Sequence, residues 1–175
     1  MKQPLGSVAQ IAYIVDNIEE AIEKWSGFLT AGPFFVIDNF EIIDPKYRGE
    51  AMKDVNIRLA LGYSGGMCIE FIEQISEGAS VYSEVLAEKG YCFHHWAYMT
   101  ENFDEDVQKH LDQGLEVCFS GAAGVGGRFV YMDAREQIQS MVEIIEFTPP
   151  VAEFFAMIEG ASENWDGKDP IRYLT

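Results

Sequence analysis

Apolar positions along the chain switch cleanly between a spacing of two and a spacing near 3.6, which separates strands from helices. Residues 8–15 alternate and are rich in β-branched and aromatic side chains, as a strand requires. Asp16 and Asn17 then offer capping oxygens, Glu19 and Glu20 fall in a first turn, and Ile18, Ala21, Ile22 and Trp25 share one helical face. This helix is expected to stop near Thr30, before the Gly32-Pro33 breaker. Residues 34–40, 55–63 and 67–73 read as three more strands, the last two joined as a hairpin across Ser64-Gly65-Gly66. The stretch 41–54, with Pro45 and Gly49, reads as a long loop of the kind that covers a site. A short connecting helix over 80–89 follows, opened by Ser80 and stopped by Gly90.

From Cys92 the pattern restarts, with a strand over 92–99, a helix over 103–113, and strands over 115–121, 127–133 and 141–146. Pro149-Pro150 opens a last amphipathic helix through Phe154, Phe155 and Ile158, and the tail 161–175 reads as irregular. At an offset of 85, Gln10-Ile11-Ala12-Tyr13 lies over His95-Trp96-Ala97-Tyr98, with Asn17 over Asn102. At an offset of 73, Ile69-Glu70-Phe71-Ile72-Glu73 lies over Val142-Glu143-Ile144-Ile145-Glu146. The chain is therefore an internal duplication of a β-α-β-β-β unit. The expected fold is α+β, a single domain over 1–175. Its two modules, 7–75 and 91–148, are related by a pseudo-twofold axis and followed by a C-terminal helix and tail over 149–175.

Strand alternation sorts the faces. Ile11 and Tyr13 point one way while Gln10, Ala12 and Ile14 point the other; Trp96 and Tyr98 oppose His95 and Ala97. On this count His94 faces away from His95. Glu70 lies between Ile69 and Phe71, and Glu143 between Val142 and Ile144. Four strands thus each present one polar residue, Gln10, Glu70, His95 and Glu143, at equivalent positions of the two copies.

Composition narrows the functional classes. In 175 residues, 48% hydrophobic content supports a real core, and 29 acidic against 12 basic side chains give a net charge of −17. Such a surface excludes a general grip on phosphate backbones or anionic lipid, so neither nucleic acid nor membrane is an expected partner. No apolar run approaches the roughly 18 to 20 residues of a spanning helix, and nothing near Met1 resembles a secretion signal, so a cytoplasmic protein is expected. Cys68, Cys92 and Cys118 are odd in number and far apart, which predicts reduced thiols. The glycine-rich stretch 121–127 precedes a strand instead of opening a helix, which predicts a flexible loop at a cleft mouth and no phosphate-binding loop. His110 reads as packing.

The duplicated unit and its four polar residues resemble the vicinal oxygen chelate superfamily, which includes glyoxalase I, methylmalonyl-CoA epimerase, extradiol dioxygenases and bleomycin-resistance proteins. The resemblance covers about 7–148, and Gly90-Tyr91-Cys92-Phe93-His94-His95-Trp96-Ala97 is similar to the family's fifth strand, where the second of two histidines is the ligand. It implies two modules around a cleft, with a divalent metal on Gln10, Glu70, His95 and Glu143. Glutamine at position 10 departs from the commonest pattern, although some glyoxalase I enzymes carry it. One imidazole, one amide oxygen and two carboxylates suit Zn, Ni, Co, Mn or Mg better than thiolate-seeking metals.

The resemblance further implies a metal-dependent isomerase, epimerase or lyase acting on a small carbonyl or thioester substrate through an enolate, with Glu143 as base and Glu70 as second acid or base. Only twelve basic residues weigh against a CoA or glutathione thioester, and Phe34, Phe35 and Phe40 suggest an apolar portion. Tyr82, Tyr131, Arg58 and Arg128 are candidate substrate contacts. The alternatives are a metal-free binding protein of the same fold and an extradiol-type dioxygenase, the latter disfavoured because Gln10 replaces one histidine of a two-histidine, one-carboxylate site. A homodimer is expected.

Overall fold

The computed structural model describes residues 3–52 and 55–174. Strand β1 (Val8–Ile14) leads into α1 (Ile18–Leu29), where Asn17 caps by accepting from the Glu20 amide at 2.8 Å and Thr30 closes the helix in the left-handed region at φ 52°. Such a cap contributes about 1 kcal/mol. Ile18, Ala21 and Ile22 bury against Phe34, Ala60, Ile69 and Phe71 on the outer face of the sheet. Strands β2 (Phe34–Ile37), β5 (Ile57–Ser64) and β6 (Met67–Gln74) complete the first copy. The linker helix α2 (Val81–Lys89) opens with a reciprocal capping box between Ser80 and Ser83. The second copy is β7 (Phe93–Thr100), α3 (Phe103–Asp112), β8 (Glu116–Ala123), β9 (Gly127–Ala134) and β10 (Ser140–Glu146), with a one-turn helix α4 (Arg135–Ile138) before β10. Asn102, the counterpart of Asn17, makes no side-chain cap bond; its amide instead donates to Thr100 Oγ1.

With β3 (Ile42–Tyr47), β4 (Glu50–Ala51) and β11 (Ile171–Tyr173), the described strands form one eleven-stranded sheet in the order β11-β2-β5-β6-β1-β7-β10-β9-β8-β3-β4. The order β2-β5-β6-β1 in the first copy matches β8-β9-β10-β7 in the second, and the copies meet where β1 pairs antiparallel with β7. This junction places β1, β6, β7 and β10 side by side at the centre, the four strands that carry Gln10, Glu70, His95 and Glu143.

Three expectations are corrected. The stretch 41–54 is not simply a loop: β3 (Ile42–Tyr47) and β4 (Glu50–Ala51) extend the sheet, β3 pairing with β8 of the other copy. Residues 38–41 therefore carry the chain across the cleft from one end of the sheet to the other. The approach of β3 to β8 depends on Gly121, where a Cβ would lie 2.6 Å from Ile42 Cγ2. The tail 161–175 is not wholly irregular either, since β11 (Ile171–Tyr173) pairs parallel with β2. Finally, most of the glycine-rich stretch is not a loop; it ends β8 and begins β9, leaving a turn over 124–126. Residues 53, 54 and 175 of these stretches, and residues 1 and 2, lie outside the described residues.

Two helices fill the concave side. On one flank α2 sets Val81, Tyr82 and Val85 against Ile57, Leu59, Ile72, Phe119 and Phe129. On the other, α5 (Pro149–Ser162) packs Val151, Phe155 and Ile158 on Phe35, Leu61 and Tyr63. Gly127 permits this seating, because a Cβ there would lie 2.5 Å from Val151 Cγ2. Among the described residues no helix is long and apolar enough to cross a membrane, and Cys68, Cys92 and Cys118 are all unpaired.

Candidate metal centre

The four polar residues expected to meet do so, at the base of the cleft between α2 and α5. Gln10, Glu70, His95 and Glu143 are 1%, 6%, 0% and 6% exposed, so each is held away from bulk water. Gln10 Nε2 donates to Glu70 Oε2 at 3.1 Å. His95 Nε2 lies 3.1 Å from Glu143 Oε2 and 3.4 Å from Glu70 Oε2. One ligand atom from each of Glu70, His95 and Glu143 falls within 4.8 Å of the others. Burial first, and the negative charge of Glu143 second, push the Glu70 carboxyl well above its ordinary value.

Two buried carboxylates packed together are strongly unfavourable unless a positive charge joins them. Gln10 Oε1 and His95 Nε2 are both buried without a hydrogen-bond partner. An acceptor oxygen and an imidazole nitrogen left bare beside two carboxylates match the requirements of a divalent cation with oxygen and nitrogen ligands. The residues present therefore fit a metal.

The cleft above them is apolar, with a cavity of about 60 Å³ walled chiefly by Phe40, Leu59, Leu61, Phe129, Phe154 and Phe155. Tyr82 and Tyr131 line it as anticipated, their hydroxyls 3.4 Å apart and both phenols pushed far up, mainly by burial. Arg58 and Arg128 do not line it. Arg58 is engaged by Glu19, Asp38 and Glu73, and Arg128 by Asp104 and Glu146 while lying over the Phe103 ring at 4.4 Å. Of the three phenylalanines, only Phe40 reaches the cavity; Phe34 stacks on Phe71 behind the sheet. His110 is half-buried packing, against Tyr98.

One side chain overturns the alternation. His94 is 1% exposed and sits on the same side as His95, Nδ1 to Nδ1 at 2.8 Å. A bulge in β7 causes this: Ala12 faces His95 but Tyr13 faces Phe93, so His94 is an extra residue without a partner on β1. Burial, then the neighbouring His95, hold His94 well below its ordinary value. Sequence reasoning also missed the wall that α5 contributes; the amphipathic pattern announces the helix but not which face of the sheet receives it.

A duplicated β-α-β-β-β unit whose central strands converge four polar ligands in a concave cleft defines the glyoxalase-like, vicinal oxygen chelate class of fold. The sequence profile of the Glyoxalase/Bleomycin resistance protein/Dioxygenase superfamily matches residues 9–132, and the chain belongs to that superfamily. Among solved structures it is similar to methylmalonyl-CoA epimerase from Mycobacterium tuberculosis, at 16% identity and TM-score 0.59 over 87% of this chain and 95% of that one. It is also similar to a hypothetical protein, BH1468, from Bacillus halodurans C-125, at 16% identity and TM-score 0.58 over 81% and 94%. A single-residue variant of the Streptomyces coelicolor methylmalonyl-CoA epimerase, in complex with 2-nitronate-propionyl-CoA, matches at 17% identity and TM-score 0.56 over 83% and 97%. At these identities the likeness speaks for the fold. No curated protein sequence matches the chain.

Proposed function

We propose that this protein is a divalent-metal-dependent isomerase, epimerase or lyase that moves a proton next to a carbonyl or thioester group through an enolate. The observation that carries the reading is the buried meeting of Gln10, Glu70, His95 and Glu143, with Gln10 Oε1 and His95 Nε2 bare. Held by these four residues, a Zn, Ni, Co or Mn ion supplies Lewis-acid stabilisation of negative charge on the substrate oxygens.

The chain's own groups divide the proton work. Glu143, entering from β10, takes the α-proton onto a carboxylate oxygen as the C–H electron pair moves into the carbonyl. Glu70, entering from β6 by the pseudo-twofold, is the second carboxylate at the site and serves as the group that returns a proton. Tyr82, Tyr131 and the apolar walls exclude water from the developing charge.

Methylmalonyl-CoA epimerases are among the structural neighbours, yet among the described residues no lysine or arginine lines this cavity. A small carbonyl compound, or a thioester with an apolar acyl group, is therefore favoured over a large anionic conjugate. The apolar cavity also supports a second reading, a sequestering protein that holds such a ligand without turning it over. Gln10 in place of a histidine leaves an extradiol dioxygenase third. The same reading takes the protein as a cytoplasmic homodimer, with neither nucleic acid nor membrane as partner; light scattering at the monomer mass of 19.7 kDa would refute the dimer.

Elemental mass spectrometry on protein purified without chelator tests the centre. About one divalent metal per chain, lost in a His95→Ala, Glu143→Ala double variant, is the expected result. No metal in either, even after soaking with Zn, Ni, Co and Mn, moves the assignment to the sequestering protein.

A further inference from the structure

The central pair of strands carries two bulges, not one. On β1, Val8 faces Tyr98 and Gln10 faces Ala97, so Ala9 is the extra residue; on β7, the extra residue is His94. The offset of 85 that superposes Gln10 on His95 also superposes Ala9 on His94. Each copy therefore places a bulge immediately before its ligand position; the β7 bulge turns His94 and His95 to the same side, and Ala9, Gln10, His94 and His95 are all at most 3% exposed. The backbone is repeated; the chemistry at the bulge is not.

That difference follows the ligand each bulge precedes. Gln10 has chemically distinct ends: its Nε2 donates to Glu70, and its Oε1 is left as an acceptor. An amide so anchored needs no neighbour to decide which atom faces a cation, and alanine precedes it. His95 has no such built-in polarity, because a neutral imidazole carries one proton on either of two nitrogens. Its Nε2 can serve as a ligand only when that proton resides on Nδ1. The Nδ1 of His94 stands 2.8 Å from it, close enough to accept. The His94 ring is itself fixed between Tyr82 and Tyr131, at ring-centroid distances of 5.4 and 5.5 Å.

We propose that His94 is a positioning residue: from the β7 bulge its Nδ1 accepts the Nδ1 proton of His95, which leaves His95 Nε2 bare toward Glu70 and Glu143 as a metal ligand. This inference rests on the metal-dependent reading above. It assigns to His94 the part that a carboxylate or a backbone carbonyl plays behind metal-bound histidines elsewhere.

The test is calorimetric titration of Zn²⁺ into metal-free wild type and into His94→Phe, His94→Asn and His95→Ala, each checked by thermal unfolding. Wild type should take about one ion per chain and His95→Ala should lose it. His94→Phe keeps a buried ring but offers no acceptor, and its affinity should fall by about 10- to 100-fold. His94→Asn places an acceptor oxygen near the position of Nδ1 and should recover much of that loss, which a purely steric role would not produce. Equal affinity in His94→Phe and wild type, or no recovery in His94→Asn, overturns the assignment while the metal centre stands. No Zn²⁺ binding by wild type overturns the metal reading and this inference together. A measurement that needs no variant is ¹⁵N NMR of the Zn-loaded protein, where a scalar coupling between the two Nδ1 atoms is expected and its absence counts against the bond.

Discussion

Glu143 and Glu70 are equally buried and enter from equivalent strands of the two copies, and in the proposed function the proton work is divided between them. Glu70 gains a donor from Gln10 yet is held toward its neutral form by burial and by Glu143. Glu143→Gln keeps an oxygen ligand but cannot take a proton. Exchange of the substrate α-proton into deuterated water should therefore drop by about 10²- to 10⁴-fold with metal content unchanged; exchange at the wild-type rate would remove Glu143 from the mechanism. Away from the cleft, Arg58 holds the Glu19 carboxyl down to about 2 from 4.5. Because the folded value is lowered, this contact stabilises above the unfolded value, near 4.5, and its contribution disappears as pH falls through about 2. Thermal melts across that window should show wild type losing its advantage over Arg58→Met as the pH drops. The candidate ligands were legible because alternation and an internal repeat acted together. His94 was not, since alternation assumes an unbroken ladder and a bulge leaves no mark in hydrophobic spacing.

At the scale of elements, the helices and central strands follow from local chemistry: Asn17 and Ser80 cap, Gly90 and Thr30 terminate, and the two periods do the rest. Strands β3 and β11 escaped notice because their partners β8 and β2 lie far along the chain, and the pattern of β3 is broken by Pro45 and by Asp44 and Arg48 at positive φ; β4 is only 2 residues long and pairs with β3. What stabilises β3 is its setting. Tyr47 donates to Glu84 of α2 at 2.8 Å, and Arg48 and Arg135 both pair with the same carboxylate, so one residue of the linker helix gathers the crossing segment and the second copy. Gly121→Val would drive a side chain into Ile42 and should destabilise the fold by roughly 1–3 kcal/mol. Limited proteolysis should then cut first within residues 41–52, whereas a cleavage pattern identical to wild type would show that β3 is not held by this approach.

For the whole molecule, the fold class was readable from duplication alone, but closure of the cleft was not, because it depends on α5, α2 and the crossing segment meeting over a site none of them carries. Under the proposed metal reading, the buried pair of carboxylates would make the assembled protein depend on an ion. Stripping with chelator should lower the melting temperature, and restoring Zn²⁺ at about 100 times its dissociation constant should return about 2.7 kcal/mol; a melt indifferent to chelator would argue against a bound ion in the native protein. The route of the chain also imposes an order in time. Strand β3 belongs to the first copy, but the edge it pairs with, β8, is synthesised only after α2, β7 and α3. As the polypeptide emerges, the first copy can assemble its sheet while β3 waits for β8, so the wall across the cleft is completed only once the second copy has begun to form.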